Sequence, residues 1–174
     1  MVVFFIILAV IIIFIIFMFN SVITLKQHVD RAKSLIDVYL QQRFDLIPNL
    51  VNVTKEYINY ESNILEKITE LRSLYTKNKD ENAKNELNSQ YKTIMLVSEN
   101  YPQLKSSEQF LNLQKSLIKI ESQLQAARRI YNNDVTKYNT KIATFPNNFI
   151  AKLFNFKPEE LFQLEGEDNV EVNF

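Results

Sequence analysis

Residues 2–19 read VVFFIILAVIIIFIIFMF, eighteen apolar residues with no polar interruption. As a helix this run is about 27 Å long, close to the roughly 30 Å thickness of bilayer hydrocarbon. Contributions of a few tenths of a kcal/mol from each Ile, Val, Phe and Leu sum to roughly −5 to −10 kcal/mol for insertion. A cleavable signal needs a basic leader, a shorter apolar region and small residues before the cut, and the run has none of these. The alternative is a buried core helix, but so long an apolar cylinder exceeds what a domain of about 150 residues wraps. Residues 1–21 are therefore expected to form a single transmembrane anchor. Lys26, Arg31, Lys33 and Arg43 follow it closely. By the positive-inside rule the remainder lies in the cytoplasm, with the chain single-pass in the inner (cytoplasmic) membrane and its N-terminus outside.

Composition narrows the function. Twenty basic residues balance twenty acidic ones, so no net field recruits nucleic acid. The absence of cysteine removes thiol catalysis and cysteine zinc sites. A lone glycine, Gly166, leaves no P-loop, nucleophile elbow or other glycine-rich phosphate cradle, and argues for helices joined by few turns.

Periodicity agrees. Val22, Leu25, Val29, Ala32, Ile36 and Tyr39 recur three and four apart as the seam of a first helix. Pro48 is incompatible with a helix interior, so a reversal is expected at Phe44–Ile47, with a second helix starting near Pro48 and carrying Leu50, Val53, Tyr57, Ile64, Ile68, Leu71 and Tyr75. Asp80 is a cap for a third helix with Leu87, Tyr91, Ile94 and Met95, which stops before Pro102. Ser106 and Gln109 form a capping box for a fourth. Its seam holds Phe110, Leu113, Leu117, Ile120, Leu124, Ala127, Tyr131, Tyr138, Ile142 and Phe145, until Pro146 ends it. The fold class is thus all-α: the anchor, an up-and-down antiparallel four-helix bundle over 22–146, a short apolar segment at 147–165 and an acidic tail at 166–174.

A polar stripe beside the last seam holds Glu121, Gln125, Arg128, Asn132, Val135 and Asn139. It is either a solvated flank or a partly buried network in which Arg128 finds a carboxylate, Glu121 first and Glu61 second, with Asn132 beside it. In an up-and-down bundle the turns at 45–49 and 101–105 share one pole, where Arg43, Asp45, Asn49, Tyr101 and Lys105 would face a protein partner. The segment 149–162 carries Phe149, Ile150, Leu153, Phe154, Phe156, Leu161 and Phe162, and needs cover either from the bundle or from membrane lipid beside Lys152 and Lys157. A di-iron bundle needs two Glu-x-x-His pairs, and His28 is the sole histidine. No metal ligand, cofactor or catalytic residue is assigned.

Several segments carry a resemblance: IDVYLQQRFDLIPNLV at 36–51, Tyr57 with Glu61, ENYPQLK at 99–105, FLNLQKSL at 110–117, and Glu121 followed by ARRIYNNDVTKYN at 127–139. In this order they resemble the LemA family of bacterial membrane proteins over nearly the whole chain after the anchor. The resemblance implies a four-helix bundle behind one membrane helix and implies no defined chemistry. Relatives in magnetosome-forming bacteria suggest membrane shaping. The leading reading is a membrane-tethered scaffold or adaptor for an unknown protein partner, and the alternative is membrane shaping by self-assembly as a homo-oligomer. A metal-dependent enzyme stands third.

Overall fold

The computed structural model describes residues 1–57 and 63–162. Six helices follow one another: α1 (Val2–Thr54), α2 (Ile64–Asn78), α3 (Glu81–Ser98), α4 (Pro102–Ser106), α5 (Glu108–Ala143) and α6 (Asn147–Leu153). No strand occurs among the described residues. The acidic tail at 166–174 lies outside them, as does Glu61.

The reversal expected at Phe44–Ile47 is absent, because α1 continues through Pro48 to Thr54. A proline inside a helix removes one backbone bond and costs about 3 kcal/mol. The flanking side chains outweigh it: Ile47 and Leu50 are fully buried and Val51 nearly so, and each such burial stabilises by about 1.5–3 kcal/mol. The second helix is correspondingly short. Leu50 and Val53 belong to α1, whereas Ile64, Ile68, Leu71 and Tyr75 belong to α2.

The later boundaries follow local chemistry. α2 closes on Lys79 in the left-handed region (φ 53°), whose amide donates to the Tyr75 carbonyl. Asp80 caps α3 as expected, accepting from the Ala83 amide at 2.7 Å. The capping box does not form. Ser106 instead closes α4, its hydroxyl donating to the Gln103 carbonyl at 2.9 Å, so α5 begins at Glu108.

The chain divides into two compact units, Met1–Ile36 with Ala126–Phe174 and Asp37–Gln125, so the division falls inside the stretch 22–146 treated above as one bundle. In the first unit α1 buries Met18, Val22, Val29, Ala32 and Ile36, α5 buries Ala127, Tyr131, Val135, Tyr138 and Ile142, and α6 buries Ile150 and Ala151. Val135, placed with the polar stripe, is fully buried, while Phe145, placed in the seam, is 78% exposed because α5 has ended two residues earlier. The second unit buries Leu40, Phe44 and Ile47 of α1, Ile68 and Tyr75 of α2, Leu87 and Ile94 of α3, Leu104 of α4, and Phe110, Leu117 and Leu124 of α5. The Phe44 and Tyr75 rings meet edge to face at 5.0 Å. Burial, reinforced by Asp37, raises the Tyr75 phenol pKa above its ordinary range.

At its N-terminal end, within the first unit, α1 is bare. Its apolar residues from Val2 to Phe17 are exposed, and this stretch is long and apolar enough to cross a membrane.

Replacing Leu117 by Ala should destabilise the detergent-solubilised full chain by about 2–5 kcal/mol in urea unfolding, since the side chain is 1% exposed. A loss below about half a kcal/mol would place it at the surface.

Candidate functional site

An extended segment has backbone donors and acceptors that no helix or sheet pairs, and buried ones must be satisfied by something. Residues 157–162 meet this need on α5 of the first unit. Asn139 donates from Nδ2 to the Glu159 carbonyl at 2.8 Å and accepts from the Glu159 amide at 2.9 Å. Asn132 treats Phe162 in the same way, at 3.0 and 2.7 Å. The hydroxyls of Tyr131 and Tyr138 donate to the carbonyls of Glu160 and Lys157, at 3.1 and 3.0 Å.

The spacing explains the fit. Two heptad-related asparagines are separated by about 10.5 Å along a helix, and three residues of extended chain span about 10 Å. Asn132 and Asn139 therefore meet Phe162 and Glu159 in register, antiparallel, each side-chain amide acting as the neighbouring strand would. Side chains then fasten the segment. Lys26 pairs with Glu159 at 2.6 Å and with Asp30 at 3.1 Å, and the Arg128 guanidinium lies 4.7 Å over the Phe162 ring.

Burial opposes the charge on Lys26, yet its bonds to Glu159 and Asp30 prevail and raise its pKa. The contribution from the lysine's charge is therefore fully present below the pKa of an unfolded lysine and is lost as pH climbs through the higher folded value. Burial likewise raises the phenol pKa of Tyr131 and Tyr138, with Glu159 adding to it in both.

The second unit holds a different constellation. Arg43 is 8% exposed, pairs through Nη1 with Glu121 at 2.8 Å, and donates from Nη2 to Asn88 Oδ1. The Phe44 and Tyr91 rings flank it at 5.6 and 5.8 Å. A buried guanidinium requires such partners, since an uncompensated charge costs several kcal/mol. Among the described residues no three His, Cys, Asp or Glu side chains converge as metal ligands.

The expected pole of two turns is corrected accordingly. Arg43 points into the second unit, and Asp45 and Asn49 lie inside α1, not in a turn. Asp45 is exposed and bonded to Arg72 at 2.5 Å and Gln41 at 3.0 Å, and Asn49 is exposed. Tyr101 and Lys105 are exposed at the start and near the end of α4. Glu121, first choice for Arg128, gives its carboxylate to Arg43. Asn132 is a network residue, but its partner is backbone. The partner Asn88 had no signal in the sequence and Tyr91 was legible only as a seam residue, whereas the residues of the clasp recur visibly as Tyr-Asn at 131–132 and again at 138–139.

The LemA family model matches residues 32–174. "Protein LemA" of Metamycoplasma hominis is 30% identical over 159 residues, 88% of this chain and 73% of that protein. "Magnetosome protein MamQ 2" of Paramagnetospirillum magneticum is 33% identical over 70 residues, 40% of this chain. "Magnetosome protein MamQ" of Magnetospirillum gryphiswaldense is 28% identical over 69 residues, also 40% of this chain. The matches span only 26% and 25% of those two magnetosome proteins.

Two substitutions test the constellations. Asn132→Ala with Asn139→Ala removes four backbone bonds worth about 0.5–1.5 kcal/mol each, so a glutamate-specific protease should cut after Glu159 and Glu160 much faster than in the parent. Glu121→Ala strands the buried Arg43 and should cost about 3 kcal/mol in urea unfolding, the low end for a broken buried pair because Glu121 is 37% exposed.

Proposed function

The chain belongs to the LemA family, and from that premise we propose that it is a membrane-tethered scaffold that presents a helical domain to a protein partner in the cytoplasm. The observation that carries the reading is the make-up of α1. One uninterrupted helix bears the bare apolar stretch and then, from Met18 onward, side chains buried within the protein. Tether and domain share a helix, and no flexible linker lies between them.

The partner-facing surface belongs to the second unit. Leu111 and Ile118 stand seven residues apart on α5 at 39% and 63% exposure, and Leu96 of α3 is 68% exposed. Large aliphatic side chains at heptad spacing on a helix suit another helix better than they suit water. The same stripe also serves the second reading, membrane shaping by self-assembly, since a second copy offers a complementary stripe. Nothing in the two constellations supplies a nucleophile with a base, so catalysis finds no support.

Lys26, Arg31, Lys33 and Arg43 after the apolar run support, by the positive-inside rule, a cytoplasmic domain with the N-terminus across the inner membrane. A cytoplasm-active reporter fused after Phe174 should be active in intact cells. Activity only of a periplasmic reporter would reverse the topology.

Photo-crosslinking from Ile118 in living cells separates the functions. A discrete adduct with a different protein supports the scaffold, and an adduct with a second copy supports self-assembly. Without any adduct at Ile118 or Leu96, both readings of this surface fall.

A further inference from the structure

We propose that α6 and its flanks form a second membrane contact, an apolar facet seated in the phospholipid interface beside the point where α1 leaves the hydrocarbon. The proposal rests on α1 spanning the membrane, and it identifies the lipid surface as the occupant of a facet that the first unit leaves uncovered.

The facet is one-sided. Asn147, Ile150 and Ala151 turn inward and are buried, whereas Phe149 and Leu153, one helical turn apart, are 65% and 74% exposed. Phe145, which is 78% exposed, extends the same surface, its ring 6.0 Å from that of Phe149 and edge-on to it. Phe154 adds a half-exposed ring. Four large apolar side chains on so short a stretch form a patch that water does not favour.

The facet's level along α1 is fixed by direct contact. Phe19 closes the apolar run, and Phe154 and Phe156 pack on it with ring centroids 4.7 and 5.8 Å away. Protein cover begins abruptly at this level: Phe17 is 73% exposed and Met18 is 6% exposed. Residues 2–19 supply about 27 Å of helix, so with Val2 at one edge of the hydrocarbon Phe19 stands at the other. Whatever touches Phe19 from the side is at the acyl boundary, the depth at which aromatic rings of interfacial segments settle.

Charge agrees with that position. Lys152 and Lys157 are exposed on the same segment, as is Glu160, while Glu159 is paired with Lys26. Exposed ammonium groups beside an apolar facet match anionic headgroups. The backbone clasp on α5 holds 157–162, and so fixes the C-terminal flank of the facet without help from lipid.

The cysteine-free sequence makes the test direct. Phe149→Cys, Leu153→Cys, Ile12→Cys and Arg129→Cys variants of the full chain are each labelled with a polarity-sensitive fluorophore. They are reconstituted into vesicles of equal parts phosphatidylcholine and phosphatidylglycerol. Arg129 is exposed on α5, about 21 Å of helix before Ala143, and reports water. Probes at Phe149 and Leu153 should emit to the blue of the Arg129 probe. They should lose fluorescence to lipids brominated near the headgroup end of the acyl chain, and resist aqueous iodide. Quenching by iodide as strong as at Arg129, with Ile12 still quenched by lipid, would overturn the docking and leave the span standing. Protection from both quenchers would assign the facet to a second copy of the chain and overturn the lipid proposal. An Ile12 probe that no brominated lipid quenches would overturn the span itself, and the docking with it.

Discussion

A peptide group removed from water needs a hydrogen-bonding partner, and much of the first unit is arranged around that requirement. Residues 157–162 belong to no helix, yet they lie against one. Asn132 and Asn139 return to Phe162 and Glu159 both bonds that a neighbouring strand would give, and Tyr131 and Tyr138 complete the carbonyls of Glu160 and Lys157. Other contacts follow from this capture. Glu159 is presented to Lys26, Phe162 to Arg128, and the chain between α6 and the clasp carries Phe156 onto Phe19.

The second unit solves the converse problem, a charge out of water. Arg43 sits between Phe44 and Tyr91 and is compensated by Glu121 and Asn88, which come from two other helices. Such a group rewards only one arrangement of α1, α3 and α5, because any slip of a helix by one residue separates the guanidinium from its partners. The apolar side chains around it would tolerate more.

Much of this was legible in the sequence and some of it was not, for identifiable reasons. Helical period and the scarcity of glycine specify the all-helical class, and Val22, Val29, Ala32 and Ile36 are buried where the seam places them. Pro48 misled because a local rule, loss of one backbone bond, competes with burial of Ile47, Leu50 and Val51, which depends on distant residues. Val135 and Phe145 exchanged roles for a related reason. The stripe beside a seam can be covered by whatever packs there, and the seam loses its meaning once the helix stops at Ala143. For Arg43 the sequence offered exposure by type, whereas its partners Asn88 and Glu121 lie forty-five and seventy-eight residues away. The Tyr-Asn pairs were visible as residues but not as a clasp, since a heptad repeat of polar side chains does not announce that its ligand is backbone.

The backbone bonds of the clasp have an evolutionary consequence. Asn139 and Asn132 hold Glu159 and Phe162 by atoms that every non-proline residue possesses, so these bonds leave the captured identities open, and it is Lys26 and Arg128 that read the side chains of Glu159 and Phe162. Their number is not. One residue inserted between the two anchor points lengthens the extended path by about 3.3 Å and turns successive peptide groups away from the asparagines, a mismatch that no side chain repairs. The length of this stretch and the Tyr-Asn pairs that measure it are therefore more tightly constrained than most of its letters.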